Sequence, residues 1–146
     1  MPVSATVPVS TKGTVQLLTP EGERVEHPEF SFTGEDAQIT SFLRDMVISR
    51  RIDTEATALQ RQGQLGLWAS LLGQEAAQVG SGRAARAQDW IFPTYREHAV
   101  AWCRGLDPVR LTSFYRGVDL GSWAGNEGNF HLYTVVIGSQ CLHAVG

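Results

Sequence analysis

Phe92-Pro93-Thr94-Tyr95-Arg96-Glu97-His98 joins a short apolar run to a helical pattern. A helix start exposes unpaired N–H groups and carries partial positive charge, so it attracts phosphate. Arg96 adds a planar, bidentate donor there and Tyr95 adds a hydroxyl. Each charge-assisted hydrogen bond contributes about 1.5–3 kcal/mol. Pattern alone favours a plainer role for these residues: an amphipathic helix start with a surface arginine and a half-packed tyrosine. The second stretch is Val135-Val136-Ile137-Gly138-Ser139-Gln140. Ligands of open α/β sheets sit off the carboxyl ends of strands. An apolar residue at that place wedges against a flat heterocycle, and Gly138 lets backbone approach closely. An ordinary buried strand with a tight turn has the same pattern and is the commoner explanation for it.

Other constellations are disfavoured. His27, His98, His131 and His143 are scattered, without the H-E-x-x-H or H-x-x-E-H spacing of zinc enzymes. The chain has no Walker A sequence, no G-x-G-x-x-G after a strand and no G-x-S-x-G elbow. Its two cysteines, Cys103 and Cys141, are far apart, which disfavours a zinc ribbon, a thioredoxin motif or a disulfide framework. Cys103 sits in a helical pattern beside Trp102 and is expected to pack as a small hydrophobe. A net charge of -3 gives no electrostatic footprint for nucleic acid or an anionic membrane. No basic-then-apolar leader and no long apolar run occurs, so a reducing cytoplasm is the default expectation.

The 146 residues suit one domain, and 42% hydrophobic against 18% charged residues argues for a packed core. Residues 1–35 are expected to form an extension. Met1 to about Lys12 has a disordered composition, and the stretch up to Phe30 fits either a short hairpin about Pro20-Glu21-Gly22 or a strand on a partner's surface. Residues 36–146 carry the main unit. Ile39, Phe42, Leu43, Met46 and Val47 recur at three- and four-residue spacing and predict a helix from Asp36 to Gln62, ended by Gly63. Its length of about 40 Å suggests packing against something larger than the rest of the chain. Gln74–Ala87 is a small-residue helix whose Ala76, Ala77, Gly80 and Gly82 would admit a close neighbour. Asp89–Pro93 is a short strand, Tyr95–Arg104 a helix, and Val109–Arg116 a helix capped by Asp107 with Pro108 at its first position. Gly117–Asn129 is flexible by composition, Leu132–Ile137 a buried strand, and Gln140–Gly146 the opening turns of a helix. This order predicts an α/β fold, a parallel sheet flanked by helices. One buried strand cannot satisfy its own ladder, so the chain is expected to be an incomplete piece of that fold.

The stretches RRIDTEATALQRQGQLGLW, LLGQEAAQVG, DWIFPTYREH, RGLDP and VVIGSQCLHAVG occur in this order between about Phe42 and Gly146. Together they resemble the N-terminal portion of the α subunit of thiamine-diphosphate-dependent 2-oxo acid dehydrogenase E1 enzymes of heterotetrameric type. NFHLYTVVIGSQ is most similar to the actinobacterial branch. The resemblance implies an oxidoreductase that decarboxylates a 2-oxo acid and passes the acyl group to a lipoyl arm on the E2 acyltransferase, feeding acetyl-CoA when the substrate is pyruvate. It implies an E1 β subunit as partner, thiamine diphosphate and magnesium as cofactors, and the thiamin-diphosphate-binding fold.

Tyr95 and Arg96 match the pair that holds the diphosphate. Ile137 matches the apolar residue that props the cofactor in its bent shape, and Val135 matches a residue lining the same site. Ser139 and Gln140 fall on positions that bind a monovalent cation in branched-chain relatives. His131 lies near the substrate-side loop and is a candidate catalytic residue. Gln74-Glu75-Ala76 and the RQGQLGLW stretch are most like pyruvate enzymes, with branched-chain 2-oxo acids as the alternative substrate class and a non-catalytic interaction piece as the rival role. Ala69 stands where some pyruvate enzymes carry a histidine. The family's magnesium motif, GDG followed by Asn, is not found in these residues. The isolated 146-residue piece is therefore expected to be inactive and to bind thiamine diphosphate weakly.

Overall fold

The computed structural model describes residues 15–123 and 127–146. The chain divides into two compact units between Glu35 and Asp36. Met1–Lys12, expected to be a disordered arm, lies outside the described residues, as do three residues of the glycine-rich 117–129 stretch.

The first unit contains the hairpin. Leu18 and Arg24 form an antiparallel bridge, and Val25 N–H donates to the Leu17 carbonyl at 3.0 Å. Gly22 takes φ +90° at the turn, which the missing Cβ makes cheap.

The described residues of the second unit form five helices: α1 (Asp36–Arg61), α2 (Glu75–Ala84), α3 (His98–Cys103), α4 (Pro108–Arg116) and α5 (Ser139–Val145). α1 ends one residue before the expected boundary, and Gly63 follows at φ +71°. Its inner face differs from expectation. Phe42 and Met46 pack against Leu71, Val79 and Ala99 as the apolar spacing required. Ile39, Leu43 and Val47 instead remain exposed, while Asp45, Ser49 and Asp53 are buried. These acids enter the core because each meets several donors. Asp45 accepts from Trp102 Nε1 at 3.0 Å and from Arg83 Nε at 2.7 Å. Asp53 accepts from Trp68 Nε1 at 2.9 Å, Ser70 Oγ at 2.7 Å and Leu71 N–H at 2.9 Å. A buried carboxylate is tolerated when its lone pairs are filled this way.

α2 is shorter than expected, because Ala85 turns extended (ψ 136°). Its close approach to α3 occurs at Gly82 alone of the four small positions. A Cβ there would lie 2.9 Å from Cys103 Cβ and 3.3 Å from Val100 Cα, whereas Gly80 has nothing within 4 Å and Ala76 and Ala77 are exposed. Gly82→Val is therefore expected to destabilise the chain by about 2–3 kcal/mol through overpacking, read as a lower urea midpoint, with Gly80→Ala as a control that does not. Cys103 packs here half-buried, and burial pushes its thiol above the ordinary range. α4 keeps its predicted cap: Asp107 Oδ1 accepts from Val109 N–H at 2.8 Å, Pro108 opens the helix, and Gly117 closes it at φ +80°.

The parallel sheet is where expectation and structure part. Among the described residues of the second unit there is no β-strand, only a parallel bridge between Ile91 and Phe130. The two segments nonetheless run side by side. Ile91 N–H donates to the Asn129 carbonyl (2.8 Å), His131 N–H to the Ile91 carbonyl (2.8 Å) and Thr134 N–H to the Thr94 carbonyl (3.1 Å). Arg104 braces this pair by donating to the carbonyls of Arg86, Ala87, Asp89 and Gly128. Past Thr134 the pairing stops. Leu132–Ile137 is not a buried strand: Val135 is 62% exposed and Ile137 79%. A strand is stable when neighbours fill its ladder, and neither side of residues 135–137 has one here.

Candidate functional site

Tyr95 and Arg96 are not in a helix. α3 begins at His98, and long-range hydrogen bonds take the carbonyls that would otherwise carry it further back. The Tyr95 carbonyl accepts from Tyr115 Oη at 2.7 Å, and the Arg96 carbonyl accepts from Gln78 Nε2 at 3.0 Å. Gln78 also accepts from Ala99 N–H at 3.0 Å, so one buried amide ties α2 to both sides of the α3 start. Thr94 Oγ1 donates to the Glu97 carboxylate at 2.6 Å, which folds that acid back onto the turn. Phosphate attraction by a helix N-terminus is thus replaced by a braced turn that presents two side chains.

Those two side chains stay available. The Arg96 guanidinium donates to the Ser70 carbonyl and lies 5.5 Å from the Tyr95 ring centre. No carboxylate among the described residues forms an ion pair with it. Ser70 is itself held by Asp53, so α1 fixes the loop that receives Arg96. A half-buried guanidinium with one carbonyl partner retains donors for an anion.

Val135 and Ile137 follow Thr134, whose N–H meets the Thr94 carbonyl. Tyr95-Arg96 and Val135–Ile137 therefore leave the same carboxyl end of one parallel backbone pair, the place where open α/β sheets bind ligands. Gly138 then turns at φ +91° into α5. Ser139 Oγ donates to the Val136 carbonyl at 2.7 Å, while Gln140 Oε1 is buried without a hydrogen-bond partner. His131 stacks on Phe92 (5.0 Å between centres), and its Nδ1 is likewise buried and unpartnered. No group of three or more His, Cys, Asp or Glu side chains among the described residues could hold a metal ion. A separate groove of about 620 Å³ runs along Asp53, Thr54, Thr57 and Arg61 of α1 and reaches Ser70 and Leu72, without touching Tyr95, Arg96 or residues 135–137.

The scattered histidines concealed one structural centre. His98 is 1% exposed and stacks on Trp68 at 4.1 Å. Its Nε2 lies 2.9 Å from the Ala69 carbonyl and its Nδ1 3.1 Å from Tyr133 Oη. A carbonyl only accepts, so Nε2 carries the proton and Nδ1 accepts from the tyrosine. Burial pushes the His98 pKa down to about 4. The unfolded chain, near 6.5, takes up this proton first. Stability is then complete above pH 6.5 and falls as pH drops towards 4, by up to about 3 kcal/mol. Urea midpoints at pH 7 and pH 4.5 should differ more for this chain than for His98→Gln, and equal differences would remove His98 as the cause.

Asp53, Gln78, Tyr115 and His98 all position the Tyr95–Arg96 turn or its floor, and sequence reading passed over them as contributors. Their partners lie 15 or more residues away. The available signal was weak: two acids eight residues apart, Asp45 and Asp53, beside an apolar stripe. Glu75 of the Gln74-Glu75-Ala76 stretch serves structure, since it is buried and accepts from Arg50 Nε at 2.9 Å and Gly73 N–H at 3.0 Å.

Comparison with known proteins places the chain in a family. The family model described as "Dehydrogenase E1 component" matches residues 43–145. The chain is 38% identical over 132 residues to the 3-methyl-2-oxobutanoate dehydrogenase subunit alpha of Mycobacterium tuberculosis (strain ATCC 25618 / H37Rv), covering 90% of this chain and 36% of that protein. It is 35% identical over 136 residues to the pyruvate dehydrogenase E1 component subunit alpha of Bacillus cereus, covering 91% and 36%. The corresponding subunit of Mycoplasma genitalium is 32% identical over 131 residues, covering 90% and 36%. The chain thus spans about a third of the length of these curated relatives.

Proposed function

The chain belongs to the dehydrogenase E1 component family, and we propose that it forms the diphosphate-facing part of an E1 α subunit that oxidatively decarboxylates pyruvate in a 2-oxo acid dehydrogenase complex. The observation that carries this is the shared origin of Tyr95-Arg96 and Val135–Ile137 at one end of the parallel pair, closed by the Thr134–Thr94 hydrogen bond. An unpaired arginine beside a tyrosine suits one end of thiamine diphosphate, and an exposed apolar stretch before a glycine turn suits its rings.

Thiamine diphosphate, when bound, supplies the nucleophilic carbon needed to release carbon dioxide from a 2-oxo acid. Arg96 would bind the diphosphate oxygens through donors that the Ser70 carbonyl leaves free, and Tyr95 would add its hydroxyl. Ile137 would support the cofactor's rings and Val135 would line the same site. His131 is assigned to the substrate side, with Phe92 fixing the plane of its ring. Gln140 Oε1 is the unpartnered oxygen that a monovalent cation would use. Magnesium, an E1 β subunit and a lipoyl-bearing E2 are the further components of this reading, which places the enzyme in the cytoplasm. No helix among the described residues is long and apolar enough to cross a membrane.

A branched-chain substrate is the second reading, favoured by the 38% identity to a relative named for 3-methyl-2-oxobutanoate. The E1 α subunit carrying this sequence, co-expressed with its β subunit and assayed with pyruvate and 2-oxoisovalerate in parallel, separates the two. Higher kcat/KM with pyruvate supports the first reading, and preference for 2-oxoisovalerate supports the second. Turnover of neither, in a correctly assembled complex, rejects both.

A further inference from the structure

The exposed side of α1 carries a stripe that packing among the described residues leaves unused. Ile39, Leu43 and Val47 are 40%, 57% and 60% exposed, although each is a large aliphatic residue. At 100° per residue they share one helical face with Asp36 before them and Arg50 after them. Asp36 is exposed, and the Arg50 side chain remains 58% exposed while its Nε engages Glu75.

The stripe is palindromic about Leu43. Asp36 and Arg50 lie seven residues to either side, and Ile39 and Val47 four residues to either side. We propose that this face binds the same face of a second copy of the chain, antiparallel, on a two-fold axis through Leu43. A two-fold interface sets each residue against its mirror position. Ile39 of one copy then meets Val47 of the other, the two Leu43 side chains meet each other, and each Asp36 faces an Arg50. Charge selects this arrangement. A parallel pairing would set Asp36 against Asp36 and Arg50 against Arg50, while the antiparallel one makes two opposite-charge contacts at the stripe's ends. The contact spans about 21 Å of helix, so it is a small interface of the transient class, and it dissociates on dilution.

Sedimentation of the 146-residue chain over a concentration series tests the association. A reversible monomer–dimer equilibrium is expected, with Leu43→Glu raising the dissociation constant at least tenfold and leaving the circular dichroism spectrum unchanged. Disulfide cross-linking in a Cys141→Ser background tests the geometry. Leu43→Cys should cross-link efficiently, because the two positions meet on the axis. Ile39→Cys should not, since its two copies would lie about 12 Å apart along the helices, beyond disulfide reach. A chain that stays monomeric at several hundred micromolar overturns the proposal, and so does equal cross-linking at both positions. Leu43→Cys that is protected from maleimide by a co-expressed β subunit, with no α–α cross-link, assigns the stripe to that subunit and also overturns it.

Discussion

Asp53→Ala is expected to lower the unfolding free energy of the 146-residue chain by about 3–5 kcal/mol. The carboxylate serves three donors from one loop: the Trp68 indole, the Ser70 hydroxyl and the Leu71 amide. Truncation leaves two of these donors buried with nothing to meet, and each orphan costs about 1–3 kcal/mol. Asp53→Asn should restore only part of the loss, because an amide has one acceptor oxygen and turns a donor towards the remaining partner. Urea unfolding at pH 7 measures both variants. A loss under about 1 kcal/mol for the alanine variant would show that water replaces the carboxylate at little cost, against the burial of Trp68 and Leu71. The same substitution loosens Ser70, whose carbonyl receives Arg96, so the α1 anchor and the candidate site are mechanically one unit.

Arg96→Ala is expected to raise the dissociation constant for thiamine diphosphate about 10²- to 10⁴-fold in the E1 enzyme assembled with its β subunit. Two charge-assisted hydrogen bonds to a diphosphate, at about 1.5–3 kcal/mol each, set that range. Arg96→Lys should recover only a fraction, because an ammonium is a point charge and lacks the planar fork. Quenching of tryptophan fluorescence by titrated cofactor reads the constant without relying on turnover. A change within threefold for Arg96→Ala would remove the residue from the cofactor site and leave Ser70 as its sole purpose. The folded state should tolerate the change well, since among the described residues Arg96 makes one carbonyl hydrogen bond, one contact with the Tyr95 ring and no ion pair.

Features written in neighbouring residues were legible. The 26-residue α1 follows from three- and four-residue apolar spacing and a following glycine, the α4 start from Asp107-Pro108, and the hairpin from Pro20-Glu21-Gly22. Turns at Gly63 and Gly138 take the left-handed backbone that their lack of a Cβ permits. Each depends on sterics or hydrogen bonds within about one helical turn, so a short window of sequence contains its cause. The family likeness was legible too, because five stretches in fixed order constrain one another.

What folding alone decided involves partners distant along the chain. Periodicity counted Leu43 and Val47 as core, yet the buried residues of α1 include Asp45 and Asp53, because Arg83, Trp102, Trp68 and the loop before α2 supply their donors. Tyr95 and Arg96 sit in a braced turn and not in a helix, since Tyr115 and Gln78 claim their carbonyls. Residues 135–137 have the composition of a strand and lie exposed, because β-branched side chains favour an extended chain but cannot provide the neighbouring backbone that a ladder requires. Local preference selects a conformation from a short menu, and the balance of buried donors and acceptors, summed over residues far apart in sequence, determines which choice survives.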